Sequence, residues 1–166
     1  MLPPLQGQLN DWKYARGNTI AFLKTLTMAE LQQKLPRKTY TTIWEQIIEM
    51  AWVQHGFTQA IITKTLDNIN WEAPDFSTKT ALLEKMAALD TELETILASC
   101  TGTEVVDWFG VEKSIYEHVS SLQSHEMMHL GQIMAFCQTL GIGLPPAVIK
   151  SMHITGAEYY AYDCHE

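Results

Sequence analysis

The sequence predicts an all-α protein, a four-helix bundle with a short C-terminal extension, and three observations carry that prediction. Four long segments repeat their apolar residues at steps of three and four, the period of an amphipathic helix. The connections between them are modest, and none shows a strand pair joined by a hairpin turn. Hydrophobic residues make up 46% of the 166, with nine Gly and six Pro, the composition of a globular chain rather than a disordered one. This length fits one domain with a real core, so 1–166 is read as a single domain.

The first helix is expected from about Leu5 to Leu26, with Trp12, Ala15, Thr19, Phe22, Leu23 and Leu26 on one stripe. The second is expected from about Thr41 to Thr65, with Ile43, Ile47, Met50, Gln54, Phe57 and Ile61 in register. Thr41 and Thr42, followed by Glu45, have the form of an N-cap and capping box. The third spans about Thr78 to Ser99, on Leu82, Met86, Leu89, Leu93 and Leu97. The fourth spans about Val111 to Leu140 and stops at Gly141, with Pro145 and Pro146 close behind. Asp67 to Phe76 reads as a loop, and Thr101 to Gly110 as a connection with a short turn. The tail from Ala147 starts with a short helix and ends in Tyr159, Tyr160, Tyr162, Asp163, Cys164 and His165.

Charge and composition exclude several functions. A net charge of −8 without a cluster of Lys and Arg argues against nucleic-acid binding, which needs phosphate neutralisation. No apolar run approaches the roughly 20 residues of a membrane span. Residues Met1 to Gln8 lack the basic start and apolar stretch of a signal peptide, so a cytoplasmic location is expected. Three widely spaced cysteines, Cys100, Cys137 and Cys164, fit free thiols in a reducing compartment. The methionines, among them Met50, Met86, Met127, Met128 and Met134, read as core or interface filler.

Chemistry concentrates on the fourth helix, in Ser124-His125-Glu126-Met127-Met128-His129. Residues four apart share a helix face about 6 Å apart, so two imidazoles there can converge on one ion. Their stripe is otherwise apolar (Ile115, Leu122, Ile133, Phe136), and unpaired polar groups on a buried face cost about 1–3 kcal/mol each. Ligation removes that cost; hydrogen bonds to core neighbours would do the same. The same residues spell His-Glu-x-x-His, the zincin peptidase signature with Glu as general base. Against a zincin stand the missing downstream ligands and the absence of an expected strand to hold substrate. Glu126, about 100° round the helix from His125, is equally readable as a solvated or interhelical carboxylate. His118, two turns earlier, reads as a pocket or supporting residue, about 10 Å from His125 and too far to share its ion.

His125-Glu126-Met127-Met128-His129-Leu130-Gly131-Gln132-Ile133, followed by Leu140-Gly141-Ile142-Gly143-Leu144-Pro145, resembles the last core helix of the DinB/YfiT-like metalloenzymes. The opening helix, the Lys34–Pro36 loop and the second helix also follow that family's layout, so the resemblance covers nearly the whole chain. It implies an up-down-down-up four-helix bundle, often a homodimer, holding Zn²⁺ or Ni²⁺ on three histidines. The family's third histidine lies midway along the second helix; in Ile43-Trp44-Glu45-Gln46-Ile47-Ile48-Glu49-Met50-Ala51, Glu49 stands in its place. A carboxylate ligates Zn²⁺, Ni²⁺ or Fe²⁺ well, giving a two-histidine, one-carboxylate shell with open positions. Metal ligands are therefore expected at Glu49, His125 and His129, with His55 as the other donor for the third corner, or no third ligand. The resemblance further implies a small-molecule substrate and a low-molecular-weight thiol, because similar proteins include thiol-dependent S-transferases. A non-catalytic binding or scaffold bundle with a degenerate site, and a metal-dependent hydrolase, are the competing readings.

Overall fold

A computed structural model of the chain describes residues 1–67 and 69–155. In chain order the elements are α1 (Pro3–Thr25), α2 (Met28–Leu31), α3 (Ile43–Thr63), α4 (Lys79–Ser99), strands β1 (Val105–Trp108) and β2 (Val111–Ser114), α5 (Ile115–Leu140) and α6 (Pro146–Ser151). The four long helices each pack on two others, α1 on α4 and α5, and α3 on α4 and α5. The expected stripes of α1, α3 and α4 are buried at every named position, because burial of a 3.6-residue stripe is what stabilises such helices in water. Two apolar clusters result, one around Phe22, Ile47, Met86 and Ile133, the other around Trp12, Phe57, Leu93 and Leu122.

Local sequence sets the helix ends. Thr42 Oγ1 accepts from Glu45 N at 3.0 Å while Glu45 Oε2 accepts from Thr42 N at 3.2 Å, closing the expected capping box. The same box recurs at Thr27–Glu30, which starts α2, a short helix the periodicity did not reveal. Gly141 ends α5 in the left-handed region at φ 69°, as its position after Leu140 suggests. Of the methionines, Met50 and Met86 are in the core, whereas Met128 is 50% exposed.

Two expectations are corrected between α4 and α5. Residues Val105–Ser114 form an antiparallel hairpin, with Trp108 paired to Val111 and Val105 to Ser114. Its two-residue turn, Phe109-Gly110, has φ of 53° and 88°, the doubly positive pattern of a type I′ turn. Gly adopts that conformation freely, and Asp107 Oδ1 accepts from Gly110 N at 3.0 Å. The last core helix therefore begins at Ile115, not Val111, since Ser114 and Glu117 form its capping box.

The core also holds a polar seam joining α1, α3, α4 and α5. Arg16 Nη2 donates to Gln54 Oε1 at 2.7 Å and lies 3.2 Å from Glu126 Oε2. Thr19 Oγ1 donates to Glu126 Oε1 at 2.6 Å, and Gln54 Nε2 donates to Asp90 Oδ1 at 3.0 Å. Burial raises the Asp90 carboxyl pKa, against the pull of Arg16. No helix among the described residues is long and apolar enough to cross a membrane. The tyrosine-rich end of the tail, with Cys164 and His165, lies outside the described residues; its start is α6, as expected.

Candidate metal centre

Where α3 packs on α5, Glu49 faces His125 and His129 across the helix pair. The two histidines are one turn apart, with ring centroids 4.5 Å from each other. His125 Nε2 donates to Glu49 Oε1 at 3.2 Å, and His129 Nε2 lies 2.7 Å from Glu49 Oε2. One donor atom from each residue falls within 4.8 Å of the other two. His129 is nearly closed off, at 4% side-chain exposure, whereas His125 at 21% and Glu49 at 18% border solvent. Burial pulls the Glu49 carboxyl up, but the hydrogen bond from His125 and the positive charge of protonated imidazoles beside it outweigh that and hold the pKa at about 2.

Gln46, one turn before Glu49 on α3, completes the arrangement. Its Oε1 lies 2.7 Å from His129 Nδ1, and a carbonyl oxygen can only accept, so Nδ1 carries the hydrogen. In the neutral ring the other nitrogen, Nε2, then presents a lone pair to the carboxylate oxygen 2.7 Å away. Glu49 Oε2 receives no aligned hydrogen bond there. Two lone pairs at this distance repel unless a positive charge sits between them. A cation ligated by Nε2 and the carboxylate supplies that charge, as does a proton on the ring. Two imidazoles and a carboxylate are a donor set that can hold a divalent metal ion. The residues present therefore fit a divalent metal, with Gln46 fixing the tautomer and orientation of one ligand.

Glu49 also lines a cleft of about 750 Å³ whose walls include Tyr40, Ile48, Trp52, Val53 and Trp71. Tyr40 is in the left-handed region at φ 47°, a conformation uncommon outside Gly and frequent at functional sites. Its ring stands edge-on to His129, with centroids 6.3 Å apart. Burial and the Glu49 charge raise the pKa of its phenol.

Three residues for which the sequence left alternatives open are settled by their surroundings. His55 does not provide the third corner, because six residues carry it about 240° round α3 from Glu49. Its ring lies against Trp52, with centroids 4.6 Å apart. His118 is not a pocket residue: Trp108 Nε1 donates to its Nδ1 at 2.9 Å, and its Nε2 donates to Phe57 O at 2.9 Å. Its ring stacks on Phe57 and ties the hairpin to α3. Glu126 is neither solvated nor turned to the cleft, being buried against Arg16 and Thr19, so it is the interhelical carboxylate and not a base beside the metal ligands. Glu49, His125 and His129 are brought together. Gln46, Tyr40, Trp52 and Trp71 were not singled out by sequence. Gln46 alone carried a signal, as a polar residue inside a largely apolar helix.

Comparison with known proteins adds the family. No curated protein matches the chain. The family model of the DinB superfamily matches residues 11–133, from within α1 through both histidines of α5. By that match over most of its length, with Glu49, His125 and His129 meeting between α3 and α5, the chain belongs to the DinB superfamily.

Proposed function

We propose that the chain is a metal-dependent enzyme that joins a low-molecular-weight thiol to a small-molecule substrate, an S-transferase of a stress or detoxification type. Glu49, His125 and His129 are its metal ligands, and Zn²⁺ or Ni²⁺ its metal, with Fe²⁺ compatible with the same donors. The supporting observation is that these three donors lie within 4.8 Å of one another and that one of them, Glu49, also lines an open cleft. When bound, the ion would lower the pKa of a coordinated thiol and so supply a thiolate at neutral pH.

The chain's own residues do the remaining work. Gln46 holds the His129 ring in one tautomer, Glu49 offsets the charge of the site, and the aromatic cleft orients the substrate and thins the water around it. Glu126, engaged with Arg16, is not needed as a base. An up-down-down-up helix order, a homodimeric assembly and a cytoplasmic setting complete this reading.

The test is turnover of an electrophile by protein reconstituted with Zn²⁺ or Ni²⁺, with and without added thiol. Conjugation that needs both metal and thiol supports the proposal. A tightly held metal with no turnover would mark a non-catalytic binding bundle, and ester turnover without thiol a metal-dependent hydrolase.

A further inference from the structure

The proposed metal reading leaves the other end of the cleft unexplained, and that end is aromatic. Trp71 is 42% exposed and Tyr40 42% exposed, two of the largest apolar side chains left in water, and both border the cleft that holds Glu49. Neither tryptophan of the cleft is loosely placed. Trp52 Nε1 donates to Asn70 O at 3.1 Å, which fixes the indole and the loop carrying Trp71. The Trp71 indole lies against the bare backbone of Gly56: a Cβ there would come within 2.5 Å of its Cζ3 and 2.7 Å of its Cη2. Gly56 thus lets Trp71 sit flush on α3, on the side where Trp52 and Val53 also meet the cleft.

Successive turns of α3 therefore present a metal ligand (Glu49), an aromatic wall (Trp52, Val53) and a seat for a second indole (Gly56 under Trp71). Seven residues from Glu49 to Gly56 span about 10 Å along the helix. That matches a single aromatic ring carrying a short metal-seeking head, and a cleft of about 750 Å³ is in the size range of small-molecule sites. Rings already held in place lose little freedom on binding, and ring–ring contacts favour an aromatic guest over an aliphatic one of equal size.

We propose that the cleft selects small molecules bearing a planar aromatic ring, with the ring against Trp52 and Trp71 and a metal-ligating head at the ion held by Glu49, His125 and His129. This selectivity rests on the metal reading above. The full chain loaded with Zn²⁺ is titrated calorimetrically with benzohydroxamate and with cyclohexanecarbohydroxamate, which share a chelating head and a six-carbon ring and differ in planarity. Benzohydroxamate is expected to bind about ten-fold tighter. Trp71→Ala should reduce that preference to less than about three-fold while leaving Zn²⁺ affinity unchanged, and Trp71→Phe should keep most of it. Equal affinities on Zn²⁺-loaded protein, or a preference that survives Trp71→Ala, would overturn the aromatic selectivity and leave the metal site standing. Failure of the wild-type chain to take up Zn²⁺ would remove the metal reading, and this selectivity with it.

Discussion

Gln46 Oε1 lies 2.7 Å from His129 Nδ1, and this one contact decides which nitrogen of His129 can face Glu49. It orients a histidine of the helix interface, with Nε2 left facing Glu49. Gln46→Leu should weaken Zn²⁺ binding about 10–100-fold while keeping the fold, the usual effect of losing a partner that orients a ligand. Competition against a chromophoric chelator measures it; an unchanged affinity would mean Gln46 has no part in the site.

Glu49 is the third member of the candidate metal-binding cluster and the residue that departs from the histidine pattern of the resemblance. Glu49→Ala should lower Zn²⁺ affinity by more than about a hundred-fold, beyond the loss from a supporting residue. Glu49→His should keep stoichiometric binding, since imidazole is an equally good Zn²⁺ donor. His55→Ala, on another face of α3, should leave affinity unchanged. The three variants compared in one titration separate a true ligand from a neighbour.

Glu126 sits between the two histidines in sequence yet belongs to the core. Glu126→Ala leaves Arg16 buried with less compensation and should cost about 3–5 kcal/mol of stability, read from urea unfolding. Zn²⁺ affinity should change little. The double variant Arg16→Met with Glu126→Met should recover much of the loss, because an apolar pair of similar volume avoids burying an unpaired charge. A large fall in metal affinity with no loss of stability would instead place Glu126 at the ion.

His118 makes the metal-free fold sensitive to acid. Its burial lowers its pKa from the ordinary 6.5, against an opposing hydrogen bond to Phe57, so the folded state prefers the neutral ring. The stability this represents is complete above 6.5 and is lost as pH falls below that value towards the folded pKa. Protonation would also oppose two N–H donors, Trp108 Nε1 and His118 Nδ1, across 2.9 Å. With metal removed by chelator, His118→Phe should be about 1–3 kcal/mol less stable than wild type at pH 8. That gap should narrow at pH 5, where only the wild type carries the His118 penalty. A gap constant with pH would contradict this assignment.

Phe109 occupies the first central position of a type I′ turn with φ 53° and is 69% exposed. Asn favours that conformation and an aromatic ring does not. Phe109→Asn should therefore raise stability by about 0.5–1 kcal/mol in urea unfolding, without altering metal binding.

Much of this arrangement was readable in the chain. Stripes such as Leu82-Met86-Leu89-Leu93-Leu97 point to the core because burial imposes the helical period directly. His125 and His129 were legible from their spacing, and Glu49 from its place in a stretch resembling the family's second helix. The hairpin was not, for two reasons. Phe109-Gly110 lacks the Asn-Gly signature of its turn, and Val111–Ser114 runs without a break into an apolar helix. Missing the hairpin also hid the role of His118, whose partner Trp108 is on β1. The cleft was hidden because Tyr40 and Trp71 stand on loops, where no period marks a side chain as facing a site. Their placement depends on packing, with Gly56 making room for Trp71.

The central claim is one metal ion per chain on Glu49, His125 and His129, and anomalous scattering from crystals of protein loaded with Zn²⁺ measures it most directly. One peak bonded to His125, His129 and a Glu49 oxygen, at about 2.0–2.2 Å each, is the expected result. The same peak should vanish in His129→Ala. A crystal grown with Zn²⁺ that shows no peak between these residues, or a peak held only by groups elsewhere on the chain, would contradict it.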